Sequence, residues 1–224
     1  MKTWIAFAGV IASAAAQAQD APPAALVEDV TGRSAGVEFM DYVPTGKVVR
    51  LSVADSIVLS YLKSCVRETI TGATFKVGTE RSDVVGGTVK RDTVKCDKGA
   101  LALATNQAAK SGVMVMRTAP RPVDPNKPTL TLYGLSPIVD LKGGGTLVIE
   151  RIDQPGERHE IQIPAAQPLR GTYIDLAKAG KALTAGGTYR ATAAGNIIVF
   201  KVDPFAQAGQ APIVSRLLRF PRAA

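Results

Sequence analysis

The chain predicts an all-β fold of two small β-rich domains, and three observations carry that reading. Short runs rich in β-branched residues recur along it, several with apolar residues at every second position. Glycine- and proline-containing turn signals separate these runs at close, fairly even spacing, the pattern of a sandwich or barrel. Between the halves lies residues 118–128 (TAPRPVDPNKP), where prolines at 120, 122, 125 and 128 withhold backbone donors and keep the segment extended.

In the first half, residues 47–53 (KVVRLSV) and 56–61 (SIVLSY) read as strands, and Ile57, Leu59 and Tyr61 fall on one face of the second. Residues 65–70 (CVRETI) alternate, Thr71-Gly72 punctuates, and 74–77 (TFKV) resumes. Gly86-Gly87 reads as a turn before 88–95 (TVKRDTVK). Residues 101–109 (LALATNQAA) fit a strand or a short helix equally, and 113–117 (VMVMR) closes the half as a strand. After the proline stretch, strands are expected at 129–133, 146–150, 158–163, 171–176, 188–192 and 197–202. Turns at 142–145, 154–156, 186–187 and 194–196 separate them, and 176–183 has room for one helical turn. No internal repeat relates the halves.

The ends and the cysteines bound the compartment. Lys2 precedes the apolar stretch 4–16 (WIAFAGVIASAAA), and Ala16-Gln17-Ala18 is a small-x-small cleavage site, so residues 1–18 read as a cleavable signal peptide. The apolar run falls short of the about 20 residues a membrane span needs. No cysteine follows the site to carry a lipid, and no later stretch is apolar enough to cross a bilayer. The expectation is a soluble periplasmic protein of a Gram-negative bacterium, organised as 19–117, the linker 118–128, 129–203 and a tail 204–224. In an oxidising compartment Cys65 and Cys96, the only two cysteines, are expected to form one disulfide. They are not spaced C-x-x-C, and with a single histidine they fall short of a zinc ligand set.

The formal charge of +8 becomes +7 once Lys2 is removed, spread with no run of positive residues longer than two. Such a balance suits contact with anionic envelope polymers or a lipid surface, and equally it serves solubility alone. Nucleic acid is disfavoured, since aromatics make up only 5% and no stacking motif is present.

Two resemblances follow. Residues 183–192 (LTAGGTYRAT) resemble the tyrosine corner of immunoglobulin-like and fibronectin-type-III sandwiches, with Leu183 and a small-residue turn preceding Tyr189. The resemblance spans about residues 128–203 and implies an immunoglobulin-like sandwich in which the Tyr189 hydroxyl bonds back to the backbone. The Cys…Trp…Cys set of true immunoglobulin domains is missing, the only tryptophan being Trp4. Gly46-Lys-Val-Val-Arg-Leu51 and Asp55-Ser-Ile-Val-Leu-Ser60 resemble the periplasmic β-domain of FecR-type proteins, with Ala54-Asp55 standing where that family has Gly-Asp. That resemblance covers residues 46–78 and implies a partner among membrane signalling proteins.

Signals for chemistry are few. Ser60-Tyr-Leu-Lys63, Ser82-Asp83 and Lys110-Ser111-Gly112 mimic in order the elements of penicillin-binding proteins, yet Ser60 ends a strand, where positions three apart face opposite sides. His159, the sole histidine, shares a strand face with Ile161 and Ile163 and lacks both G-x-S-x-G and H-E-x-x-H contexts. Glu28-Asp29 and the pair Asp153 and Glu157 would serve a glycosidase only if held about 5–10 Å apart in a cleft. Lys142-Gly-Gly-Gly145 lacks the Gly-Lys-Ser/Thr of a phosphate loop. The tail 213–222 mixes apolar and basic residues, for an anionic membrane, a partner or the completion of a sheet edge. The reading is of a non-catalytic, cofactor-free envelope module that binds a partner protein. A periplasmic hydrolase using Ser60 and Lys63 or paired carboxylates, and a binder of anionic polymer, are the alternatives.

Overall fold

The computed structural model describes residues 22–98, 101, 126–141, 145–163, 172–209 and 211–220. The signal-like residues 1–18, the segments 102–109 and 113–117, Lys110-Ser111-Gly112, residues 118–125 of the proline stretch and 142–144 lie outside the described residues.

The fold is all-β. One sheet of the first half runs β2 (Tyr42–Pro44), β1 (Pro23–Thr31), β4 (Ser56–Tyr61), β5 (Val66–Thr71) and β8 (Thr88–Thr93), every neighbour antiparallel. A second holds β3 (Val48–Arg50), β6 (Thr74–Val77) and β7 (Ser82–Val85). The second half has a sheet ordered β12 (Arg158–Ile163), β11 (Gly145–Arg151), β14 (Thr188–Ala193), β15 (Asn196–Gln207) and β9 (Leu130–Gly134), with β9 parallel to β15. Facing it are β13 (Thr172–Asp175), β10 (Ile138–Leu141) and β16 (Leu217–Arg219).

Alternation puts the apolar residues of each half inside. Val27, Ile57, Leu59, Tyr61, Ile70, Phe75 and Val77 fill the first core, and Leu147, Ile149, Tyr189, Ala191, Phe200 and Val202 the second. Gly86 and Gly87, at φ 73° and 57°, supply the left-handed pair that turns the chain from β7 in one sheet to β8 in the other. The expected strand at 47–53 is cut to Val48–Arg50 because the chain turns at Ser52–Asp55, with Asp55 N–H donating to the Ser52 carbonyl at 2.9 Å. That turn is fixed by Asp55, whose carboxylate accepts the Ser34 N–H at 3.2 Å and the Ser34 hydroxyl. Of residues 176–183, only 176–180 form turns, with Ala179 N–H donating to the Asp175 carbonyl.

A third apolar cluster lies between the halves. Leu26, Leu62, Cys65 and Cys96 meet Ile138, Ile213, Val214 and Leu217 there. The C-terminal segment completes a sheet edge, β16 pairing in parallel with β10, while its 3₁₀ turn Ile213–Ser215 presses on the first half. Val214 N–H donates to Glu28 Oε1 at 2.9 Å, and Glu28 Oε2 receives Arg67 Nε at 2.8 Å. Glu28 occupies a bulge in β1, where the register against β4 skips between Val27 and Asp29. Arg216 is buried and forks onto Asp175 at 2.6 and 3.0 Å, giving its other N–H groups to the Ala211 and Ser136 carbonyls. Tyr42 donates to Asp140 Oδ2 at 3.1 Å under the Arg219 guanidinium, which stacks 3.8 Å from the Tyr42 ring centroid.

Cys65 and Cys96 are joined with Cα atoms 5.8 Å apart, tying the β4–β5 turn to the chain leaving β8 beside this seam. For a sequence separation of 31, chain-entropy arithmetic assigns the bridge about 3–4 kcal/mol. The Cys65→Ser, Cys96→Ser double variant is therefore expected to lose about that much in urea unfolding; an unchanged midpoint would refute the assignment. Asp175→Asn leaves the buried Arg216 guanidinium without its counter-charge and is expected to cost about 3–5 kcal/mol by the same measurement.

Candidate functional site

Among the described residues, the first half is open along one side. β7 and β8, joined by the Gly86-Gly87 turn, are each the last strand of a different sheet, and neither has a further neighbour among the described residues. Val94 N–H donates to the Cys65 carbonyl, so by antiparallel alternation the backbone groups of Val89, Arg91 and Thr93 point away from β5, toward the free edge. Between the two edges is an open depression of about 310 Å³ lined by Arg81, Ser82, Asp83, Val84, Val89 and Arg91.

A buried carboxylate organises its floor. Glu68 lies on β5 facing the core between Val66 and Ile70, and it is wholly buried. It accepts Arg91 Nε at 2.7 Å and the Ser82 N–H at 3.1 Å, while Arg91 Nη2 donates to the Ser82 carbonyl at 3.0 Å. The Ser82 and Tyr61 hydroxyls share a hydrogen bond of 2.7 Å, and burial, with the Glu68 charge nearby, pushes the Tyr61 hydroxyl above its usual range. Arg91, partly exposed, is thus held by two groups from below with its remaining face to the groove. Exposed Arg81 stands on the other wall, and Val84 and Val89 supply an apolar strip. The arrangement suits an extended chain that offers backbone to β8 and an acidic side chain to the two guanidiniums.

Sequence reasoning singled out Ser82 and Asp83 only as elements of a hydrolase pattern and passed over Glu68 and Arg91. The signal was present: in a strand whose alternate residues Val66 and Ile70 are apolar, a glutamate on the same face needs a buried partner.

The other nominated residues are not brought together. Ser60 is fully buried in β4 facing the seam, whereas Lys63 is exposed and pairs with Glu80 at 3.3 Å. Glu28 and Asp29 diverge, Glu28 into the seam and Asp29 onto the Val30 N–H. Leu183 and Tyr189 are buried, and the Tyr189 hydroxyl accepts the Thr184 N–H at 2.9 Å and donates to Glu157 Oε2 at 2.7 Å. Gly187 is required beneath this ring, because a Cβ there would stand 2.6 Å from it. His159 Nε2 lies 3.5 Å from Glu157 Oε1.

Electrostatics run against an acid role for the second carboxylate pair. Arg151, hydrogen-bonding to Asp153 at 2.9 Å, pulls its carboxyl down to about 2 against the smaller effect of burial, helped by the Thr188 N–H. Burial would raise Glu157, but hydrogen bonds from Tyr189 and Thr184 outweigh it and leave the group lowered. A glycosidase acid needs the opposite shift. Among the described residues no three His, Cys, Asp or Glu side chains gather as a metal site, and no helix is long and apolar enough to cross a membrane. Compared with protein-family models, curated proteins and solved structures, the chain matches none.

Asp153, Glu157 and Asp175 all titrate below their ordinary values when folded, Asp175 because Arg216 outweighs its burial. Their stabilisation is present above the unfolded carboxylate range near about pH 4 and is lost as pH falls toward the folded values. The thermal midpoint is expected to hold from neutral pH to about pH 5 and drop below about pH 4. A midpoint that rises on acidification would contradict these shifts.

Proposed function

We propose that this protein is an exported, non-catalytic envelope protein, a binding or accessory module that holds a partner protein along the open β7–β8 side of its first half. The observation that carries the reading is the convergence of two unpaired strand edges on a groove whose Arg91 is fixed by the buried Glu68. Unpaired strands invite pairing with another chain, and here the invitation has a charge and a shape. The disulfide suits an oxidising compartment, and the signal-like N-terminus supports export. The FecR-like stretch at 46–78 favours a membrane signalling protein as partner, by analogy alone. Glu28, Asp153 and Glu157, which a hydrolase would need free, are each engaged by structural donors, and this weighs for binding over catalysis.

Site-specific photocrosslinking in cells tests the reading. A crosslinker replacing Lys90, on β8, is expected to give one adduct of defined size that disappears when Arg81→Glu is added. The same group at Phe205, exposed on β15 of the second half, is expected to give none. Identical adducts from both positions, or none from Lys90, would remove the groove as the binding surface.

A further inference from the structure

We infer that the free edge of β12 is an interface between two copies of this chain, joined by antiparallel β12–β12 pairing about a two-fold axis. β12 ends its sheet, with no neighbour beyond it among the described residues. Arg151 N–H donates to the Glu157 carbonyl, so Glu157, His159, Ile161 and Ile163 are the residues whose backbone groups turn toward β11. The backbone donors and acceptors of Arg158, Glu160 and Gln162 therefore turn outward, ready for another strand.

Charge selects both occupant and register. On the outer face, Arg190 of β14 pairs with Glu150 of β11 at 3.0 Å, and Glu150 stands opposite Arg158 of β12. The sheet thus carries a row of positive, negative and positive side chains that stops at its edge, while exposed Glu160 sits two residues along from Arg158, at 3.1 Å from it. A two-fold axis perpendicular to the sheet keeps faces in place, so a residue pairs with one of the same parity. With His159 at the axis, Arg158 faces Glu160 of the second copy and Glu160 faces its Arg158. The charge row then continues across the joint with alternating sign, and the facing residues are those whose backbone groups point outward. Shifting the axis to Arg158 or to Glu160 sets like charges opposite each other, which is unfavourable. The edge of β8 does not share this property: centring it on Lys90 or on Arg91 opposes cation to cation. β12 is the edge that complements itself.

The contact is a short strand pair, and interfaces well below about 1,200 Å² are weak. A reversible dimer with a dissociation constant on the order of micromolar is expected. Because β12 lies in the half remote in sequence from the β7–β8 groove, failure of this inference leaves the partner-binding reading standing, and the reverse also holds.

Sedimentation velocity of the purified protein across about 1–300 µM tests it, on the native chain, Arg158→Glu, Glu160→Arg and the double swap. Both positions are exposed, and far-UV circular dichroism with a thermal melt confirms that each variant is folded. The native chain is expected to show a concentration-dependent dimer, each single reversal to weaken it tenfold or more, and the double swap to restore it. Glu160→Pro removes an outward N–H and is expected to abolish the dimer while the monomer stays folded. A monomer at every concentration overturns the inference. So does a dimer indifferent to the single reversals, or one that the double swap fails to restore.

Discussion

Arg216 and Asp175 form the contact on which the arrangement of the two halves rests. Their bidentate pair is buried, and Arg216 also satisfies the carbonyls of Ser136 and Ala211, so one side chain ties the C-terminal segment to β13 and to the residues before β10. With the guanidinium in place, Ile213, Val214 and Leu217 are committed to the apolar seam, and the Val214 N–H reaches the buried Glu28 of the first half. Charge burial of this kind costs several kcal/mol per ion unless hydrogen bonds offset it, and here all three guanidinium nitrogens and both Asp175 oxygens are engaged. The segment made of the 3₁₀ turn Ile213–Ser215 and β16 is accordingly a structural wedge between β1 and the β10 edge. Contacts between the ends of a chain carry a high loop-closure cost and reward only a well-formed fold.

This wedge decides which surfaces remain for binding. The face of β1 and β4 that carries Leu26 and Ser60 is covered by the C-terminal segment, and the inner faces of the sheets are filled by their own cores. Among the described residues, what is left is the polar outer faces and the edges. Most are short: β3 and β16 have three residues, β7 and β13 four. The two six-residue edges, β8 and β12, differ in chemistry, one lined by cations beside an arginine groove and the other alternating in sign. That difference separates a surface for an acidic foreign chain from a surface for a second copy.

The strands with β-branched alternation and flanking glycine turns were legible in the sequence. SIVLSY, TFKV and RHEIQI form strands with the bounds their pattern implies, and the Cys65–Cys96 bridge follows from compartment logic. Pro23–Thr31, with two alanines, two acids and a proline, has no local reason to be a strand; it becomes one because β2 and β4 pair with it on either side. Leu217–Arg219 is likewise too short and too basic to declare itself, and only β10 makes it a strand. The groove was hidden for a related reason. Its central residue is a glutamate on a core face, and alternation shows that such a residue needs a partner without showing that the partner is Arg91, 23 positions later. Pairings distant in sequence are set by the fold and leave no local trace.

Native-state hydrogen exchange addresses the wedge most directly, since it reports amide by amide the free energy needed to open each bond. The Val214 amide on Glu28 and the Ile138 amide on the Arg216 carbonyl are predicted to exchange only through the global unfolding that also releases Leu59 and Ile149 in the two cores. Rapid exchange at Val214 and Ile138 while both cores stay protected would contradict it, leaving the C-terminal segment a loosely laid strand and the halves independent.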